Sequence, residues 1–258
     1  MRAVAIILAL TAFVVGPSAA AQSARIRPDQ SLKIRGQDLI VHLAAGTTHA
    51  DGPMLLYATG DGGWPGEERL FDRMRPWGYP MAGFNSVDYI ASIHTPARTV
   101  DTETVAADIG AIITTARHGL ELPLERPVIL VGFSRGAGLA IAAAASAPLR
   151  ARLKGVLLVA LTAEEDFVTE RVPGTTTGAA RELQTYAVLP RLGPLRVALI
   201  QSTRDEFVPS AEAQRRFGPE GPSRRFRAID AKDHSFGGKL AELTAAMRAF
   251  VEWIARES

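Results

Sequence analysis

Residues 127–147 read PVILVGFSRGAGLAIAAAASA, and this stretch decides the fold. Pro127–Val131 is an unbroken apolar run, the mark of a strand buried on both faces. Gly132-Phe133-Ser134-Arg135-Gly136 follows without a spacer. Gly136 to Ala147 then continues in small and apolar residues, as a helix would. Strand, sharp turn and helix is the setting in which G-x-S-x-G carries meaning, because the turn lifts a serine hydroxyl above the sheet edge. The glycines serve the strained turn and the close packing of strand on helix. Ser134 is therefore the candidate nucleophile. The N–H of Arg135 opens the helix, where the dipole adds partial positive charge, and is a candidate oxyanion donor.

Outward from this stretch, apolar runs and helical patterns alternate. Leu32–Leu43 alternates around Gly36-Gln37-Asp38, which suggests a hairpin. Buried strands are expected at Pro53–Thr59, Tyr79–Phe84, Gly155–Leu161 and Val197–Gln201, with a last short one at Phe226–Ile229. Helices are expected at Gly66–Met74, at Thr102–Arg117 with Asp101 as its cap, and at Leu240–Ala255. The pattern is that of a mostly parallel sheet with helices on both faces, an α/β-hydrolase arrangement. Its ligands bind at the carboxyl ends of the strands.

A serine hydroxyl needs a base. Of the five histidines, His42 falls in the first hairpin, His49 in a polar loop, His94 before Thr95-Pro96, and His118 at a helix end. His234, in Asp233-His234-Ser235-Phe236, follows the last strand and precedes the last helix, where this fold carries its base. The acid comes between serine and histidine in chain order. Asp205, just past strand VALIQ, is the first choice and Glu206 the second. Asp233 is set aside, because neighbours on an extended loop point apart. Gly60-Asp61-Gly62-Gly63-Trp64 follows an earlier strand, and a backbone N–H of Asp61 or Gly62 is the second candidate oxyanion donor. A phosphate loop would end in Lys-Ser/Thr, which is missing here. Glu164-Glu165-Asp166 reads as a solvated acidic loop.

The 258 residues carry a formal net charge of +2 and no cysteine. No Lys/Arg run suggests nucleic acid as a partner, thiol chemistry is excluded, and no metal or cofactor signature is present. Met1-Arg2, the apolar run Ala3–Val15, and Ala19-Ala20-Ala21 read as a secretory signal peptide over residues 1–21. Residues 22–258 would form one domain, with about 162–192 a possible cap, in a periplasmic or extracellular setting.

GDGGW at 60–64, FNSVDYIASIHTP at 84–96, GFSRGA at 132–137, LTAEEDF at 161–167 and DHSFGG at 233–238 together resemble the VirJ/AcvB family of bacterial virulence proteins. The resemblance implies an exported α/β-hydrolase-like protein with Ser134 as nucleophile and His234 as base. It also implies hydrolysis of lysyl-phosphatidylglycerol, with peripheral contact at the inner membrane, or a part in type IV secretion. The family pattern carries an Asp after the elbow, where this chain has Gly138, and often carries cysteines near the acid. An ammonium-bearing substrate calls for a carboxylate, and Asp61, Asp88 and the 164–166 run are candidates. Asp88 is preferred, and Trp64 is a second candidate substrate contact.

Three readings follow: a serine hydrolase of small-molecule or lipid esters, a non-catalytic periplasmic adaptor, and a peptidase or amidase on the same triad. Oligomeric state is open.

Overall fold

The computed structural model describes residues 26–93, 100–171 and 180–256. Residues 1–21, expected from sequence to be a signal peptide, and His94 lie outside them. The chain opens with an antiparallel hairpin of β1 (Ile26–Ile34) and β2 (Gln37–Ala44), turning at Arg35 and Gly36. Then come β3 (Met54–Ala58), α1 (Gly63–Met74), β4 (Met81–Phe84), α2 (Ser86–Ile93), β5 (Val100–Asp101) and α3 (Thr102–Gly119). The elbow joins β6 (Val128–Phe133) to α4 (Arg135–Ala145), and short α5 (Ala147–Arg150) leads into β7 (Leu153–Val159). β8 (Glu164–Arg171), β9 (Ala180–Gln184), α6 (Thr185–Val188), β10 (Arg196–Ser202), α7 (Ser210–Phe217), β11 (Arg224–Ile229) and α8 (Leu240–Ala255) complete the order.

Eight strands form the main sheet in the order β1-β2-β4-β3-β6-β7-β10-β11. From β4 to β11 they run parallel, and β2 joins β4 antiparallel. This is the α/β-hydrolase fold. The strand residues explain why both faces are covered. Met54, Leu56, Val128, Leu130, Val156 and Leu158 pack with α3 and α4. Their chain neighbours Leu55, Tyr57, Ile129, Val131, Leu157 and Val159 pack with α1 and α8 on the other face. Period-two alternation places apolar side chains on both faces, so each strand reads as a continuous apolar run.

Asp101 caps α3, its carboxylate accepting the Thr104 N–H at 2.8 Å. The elbow shows why its glycines are needed. A Cβ on Gly132 would stand 2.5 Å from the Ala137 nitrogen and closer still to the Gly136 carbonyl. One on Gly136 would stand 2.6 Å from the Thr59 carbonyl oxygen and closer still to that of Ala58. Helix α4 can thus lie directly on β3 and β6.

Beside the main sheet lies a three-stranded one, in the order β5-β8-β9. It occupies part of the expected cap segment, and residues 172–179 lie outside the described residues. The acidic run Glu164–Asp166 is the start of strand β8, not a solvated loop. Glu165 is 3% exposed. Glu164 and Glu165 pair with Gln184 and Leu183 of β9, and the alternation of the strand turns Glu165 onto Gly138 of α4 while Glu164 and Asp166 stay exposed. Phe167 and Val168 meanwhile bury themselves in the core.

Candidate active site

Ser134 stands between β6 and α4 with φ 50° and ψ −118°. An L-residue holds that conformation only where its surroundings enforce it. Here the Ser134 N–H donates to the Val159 carbonyl at 2.8 Å, and its own carbonyl accepts from Ala137 and Gly138. The side chain is left at the carboxyl edge of the sheet, 6% exposed as a residue.

His234 arrives on the loop after β11. Its Nε2 lies 2.8 Å from Ser134 Oγ, and its Nδ1 lies 2.7 Å from Asp205 Oδ2. Asp205 is 1% exposed, just beyond β10. Its Oδ1 accepts the N–H groups of Phe207 and Val208 at 2.9 and 3.1 Å, and its Oδ2 accepts from Gln201 Nε2 at 2.9 Å. The two neighbouring acids face elsewhere. Glu206 accepts the backbone N–H of His234 at 2.9 Å, and Asp233 accepts that of Gly237 at 2.7 Å. Both hold the histidine loop rather than the ring. With Nδ1–H donating to Asp205, Nε2 would be left to accept from the Ser134 hydroxyl, an arrangement that suits a general base.

Arg135 is the first residue of α4, so its N–H has no acceptor within the helix. Asp61 and Gly62 line the same cleft as Ser134. The Arg135 side chain is an organising centre. Its Nε donates to Asp61 at 2.5 Å, its Nη1 donates to Asp166 at 2.7 Å, and Glu165 Oε2 lies 3.8 Å away. Burial works against its charge, yet the pairs with Asp166, Asp61 and Glu165 outweigh this and raise its pKa.

Two cavities meet at Ser134. One, of about 340 Å³, is walled by Asp61, Glu164, Glu165, Asp166 and Glu182, with Arg135 as its cation. Burial pushes the Glu165 carboxyl up to about 8, against the opposing pull of Thr162 and Arg135. The other, of about 540 Å³, holds His234 together with Leu70, Phe133, Phe236, Leu240 and Leu243. Phe207 borders both, is 63% exposed, and sits edge-on to His234 at 4.8 Å. Where the family pattern has an acid after the elbow, Gly138 leaves room for Glu165. A Cβ there would stand 2.5 Å from Glu165 Cγ and closer still to Oε1.

Two expected contacts do not reach the cleft. Asp88 sits exposed in the first turn of α2. Val87, Ile90 and Ala91, spaced i, i+3 and i+4, form the face turned toward Asp61 and Arg135, and Asp88 lies off that face. Trp64 stacks on His42 at 3.7 Å and packs on Phe71, because Gly83 of β4 leaves it a slot on the sheet. The 164–166 run, named from sequence as a candidate carboxylate, lines the acidic cavity, whereas Glu182 and Phe207 are site residues that the sequence reading did not single out.

No curated protein sequence matches the chain. Among solved structures it is similar to Est1E from Butyrivibrio proteoclasticus, at 16% identity and TM-score 0.62, covering 88% of this chain and 99% of that one. It is also similar to the esterase Pf2001 of Pyrococcus furiosus, at 14% identity and TM-score 0.62, covering 90% and 94%. A third is XC6422 of Xanthomonas campestris, described as an α/β serine hydrolase without lid. That likeness is at 18% identity and TM-score 0.59, covering 90% and 96%. At these identities the likeness is one of fold. A family model carries the relationship further, because that of the bacterial virulence protein VirJ matches residues 52–247. The chain belongs to the VirJ family of bacterial virulence proteins.

Proposed function

We propose that the protein is a serine ester hydrolase working through an acyl-enzyme on Ser134. The observation that carries the reading is the unbroken contact of Ser134 Oγ with His234 Nε2 and of His234 Nδ1 with Asp205. Nε2 takes the hydroxyl proton as Oγ attacks the ester carbonyl. The N–H of Arg135 and one from Asp61 or Gly62 receive the oxyanion. His234 then returns its proton to the departing alkoxide, and water repeats the sequence to release the acid.

The two cavities orient the substrate. A leaving alcohol must lie beside His234, so it occupies the larger, more apolar cavity. The acyl group then faces the acidic cavity. A cationic acyl group on a lipid alcohol fits this division, and the aminoacyl ester lysyl-phosphatidylglycerol is the proposed substrate. Export by the N-terminal segment would bring the enzyme to the periplasmic face of the inner membrane. No helix among the described residues is long and apolar enough to cross it. The test is release of free lysine from lysyl-phosphatidylglycerol vesicles. Release by wild type and not by Ser134→Ala supports the assignment. Brisk cleavage of simple esters without lysine release leaves an esterase of another substrate class.

A further inference from the structure

The larger cavity holds a carboxylate, Glu67, that the mechanism above does not use. It reaches back from α1 to the loop that precedes that helix. Both its oxygens accept the N–H of Gly60, at 2.8 and 2.9 Å. Oε2 also accepts the hydroxyl of Tyr57 at 2.6 Å. Tyr57 is fully buried in β3, so the carboxylate ties the first residue of the loop to the rigid sheet.

The fit leaves little slack. A Cβ on Gly60 would stand 2.8 Å from Glu67 Oε1 and 3.0 Å from Ser134 Cβ. Gly60 is thus wedged between the glutamate and the serine. Burial raises the pKa of Glu67, while its hydrogen bonds to Tyr57 and Gly60 pull it down. An exposed helix glutamate would keep its water, so the desolvation is offset by what the carboxylate holds.

We infer that Glu67 is a positioning residue, fixing the Gly60–Gly62 loop against Ser134 so that its N–H groups are aimed before the oxyanion forms. Preorganised donors contribute to catalysis because they need no rearrangement as charge develops. The catalytic consequence rests on the ester-hydrolase reading, and the structural one stands on the geometry alone.

The experiment compares wild type, Glu67→Ala and Glu67→Gln. It reads kcat and KM on p-nitrophenyl butyrate, together with amide hydrogen exchange at residues 60–62. Glutamine keeps the shape: its carbonyl can accept the Gly60 N–H and its amide can donate to Tyr57. Glu67→Ala should lower kcat about 10- to 100-fold with KM within about threefold, a fraction of what losing an oxyanion donor costs. Exchange at 60–62 should quicken, with protection in β3 and β6 retained. Glu67→Gln should recover most of both. Unchanged kcat and unchanged exchange in Glu67→Ala overturn the inference. So does a glutamine variant as poor as alanine in both readouts, or protection lost throughout β3 and α1. A wild type that cleaves no ester overturns the hydrolase reading instead, and exchange then decides the role of Glu67.

Discussion

Gly138 and Glu165 should be strongly coupled. Gly138 lies buried in the first turns of α4, and the Glu165 side chain from β8 rests against its Cα. In Gly138→Ala the new Cβ would stand 2.5 Å from Glu165 Cγ, where ordinary contact begins at 3.4 Å. The carboxylate must retreat by about an ångström, an overpacking strain of ~1–3 kcal/mol. Its hydrogen bond from Thr162 Oγ1, 2.6 Å long, is disturbed as well, for about 1 kcal/mol more. Alanine in a helix interior returns roughly 1 kcal/mol over glycine. The net is a destabilisation of about 1–3 kcal/mol, or a Tm lower by ~2–12 °C for a chain of this size. With Glu165 already cut to alanine, the strain has no source, and Gly138→Ala should stabilise by about 1 kcal/mol. Urea denaturation of the four variants gives the coupling, expected at about 2–4 kcal/mol. A coupling below about 0.5 kcal/mol, the level of independent sites, would refute the packing argument.

Asp205→Asn should lower kcat by about 10⁴-fold, since an amide on Nδ1 favours the wrong histidine tautomer. Glu206→Gln, altering only the hold on the His234 N–H, should be far milder, and steady-state kinetics showing the reverse would reassign the acid. Glu165 gives a pH signature. Its carboxyl is pushed up to about 8, so the native state binds its proton more tightly than the unfolded chain does. Its stabilising contribution is full below the unfolded pKa of about 4.3 and is lost as pH rises through about 8. Thermal melts of wild type should therefore fall between about pH 5 and pH 8.5 more steeply than those of Glu165→Gln. Parallel profiles would contradict this. Mass spectrometry of exported protein should find cleavage after Ala20 or Ala21, and an intact Met1 would point to a retained anchor.

The parts of the fold written in local pattern were legible. Strands β3, β6, β7 and β10 announce themselves because burial on both faces makes each an apolar run. Leu240–Ala255 is bounded in the structure as its pattern indicates. Chain order pointed to Ser134, Asp205 and His234 because the strand ends of this fold fix where each can sit. What was not legible depends on partners distant in sequence. β5 is two residues long, and β8 opens on three acids, so neither shows strand periodicity. Helix α2 begins directly after β4, and its buried Tyr89 and Ile93 were the available signal. Helix α7 left a similar trace in Ala213 and Phe217, four residues apart. The slot for Glu165 depends on a glycine in another element, and the role of Glu67 on a tyrosine inside the sheet. The acidic run made Glu165 a candidate contact, but nothing local showed that it is buried or that Glu67 reaches the glycine loop.

The central claim is that Ser134 is an activated nucleophile, and labelling by a fluorophosphonate tests it most directly. Such a probe reacts with a serine whose proton is drawn off by a base, at a site where the probe's phosphonyl oxygen finds an oxyanion hole. The account predicts one label per chain on Ser134 in the wild type, strong loss of labelling in His234→Ala, and none in folded Ser134→Ala. A folded wild type that stays unlabelled, or a Ser134→Ala variant labelled as fast as wild type, would contradict it.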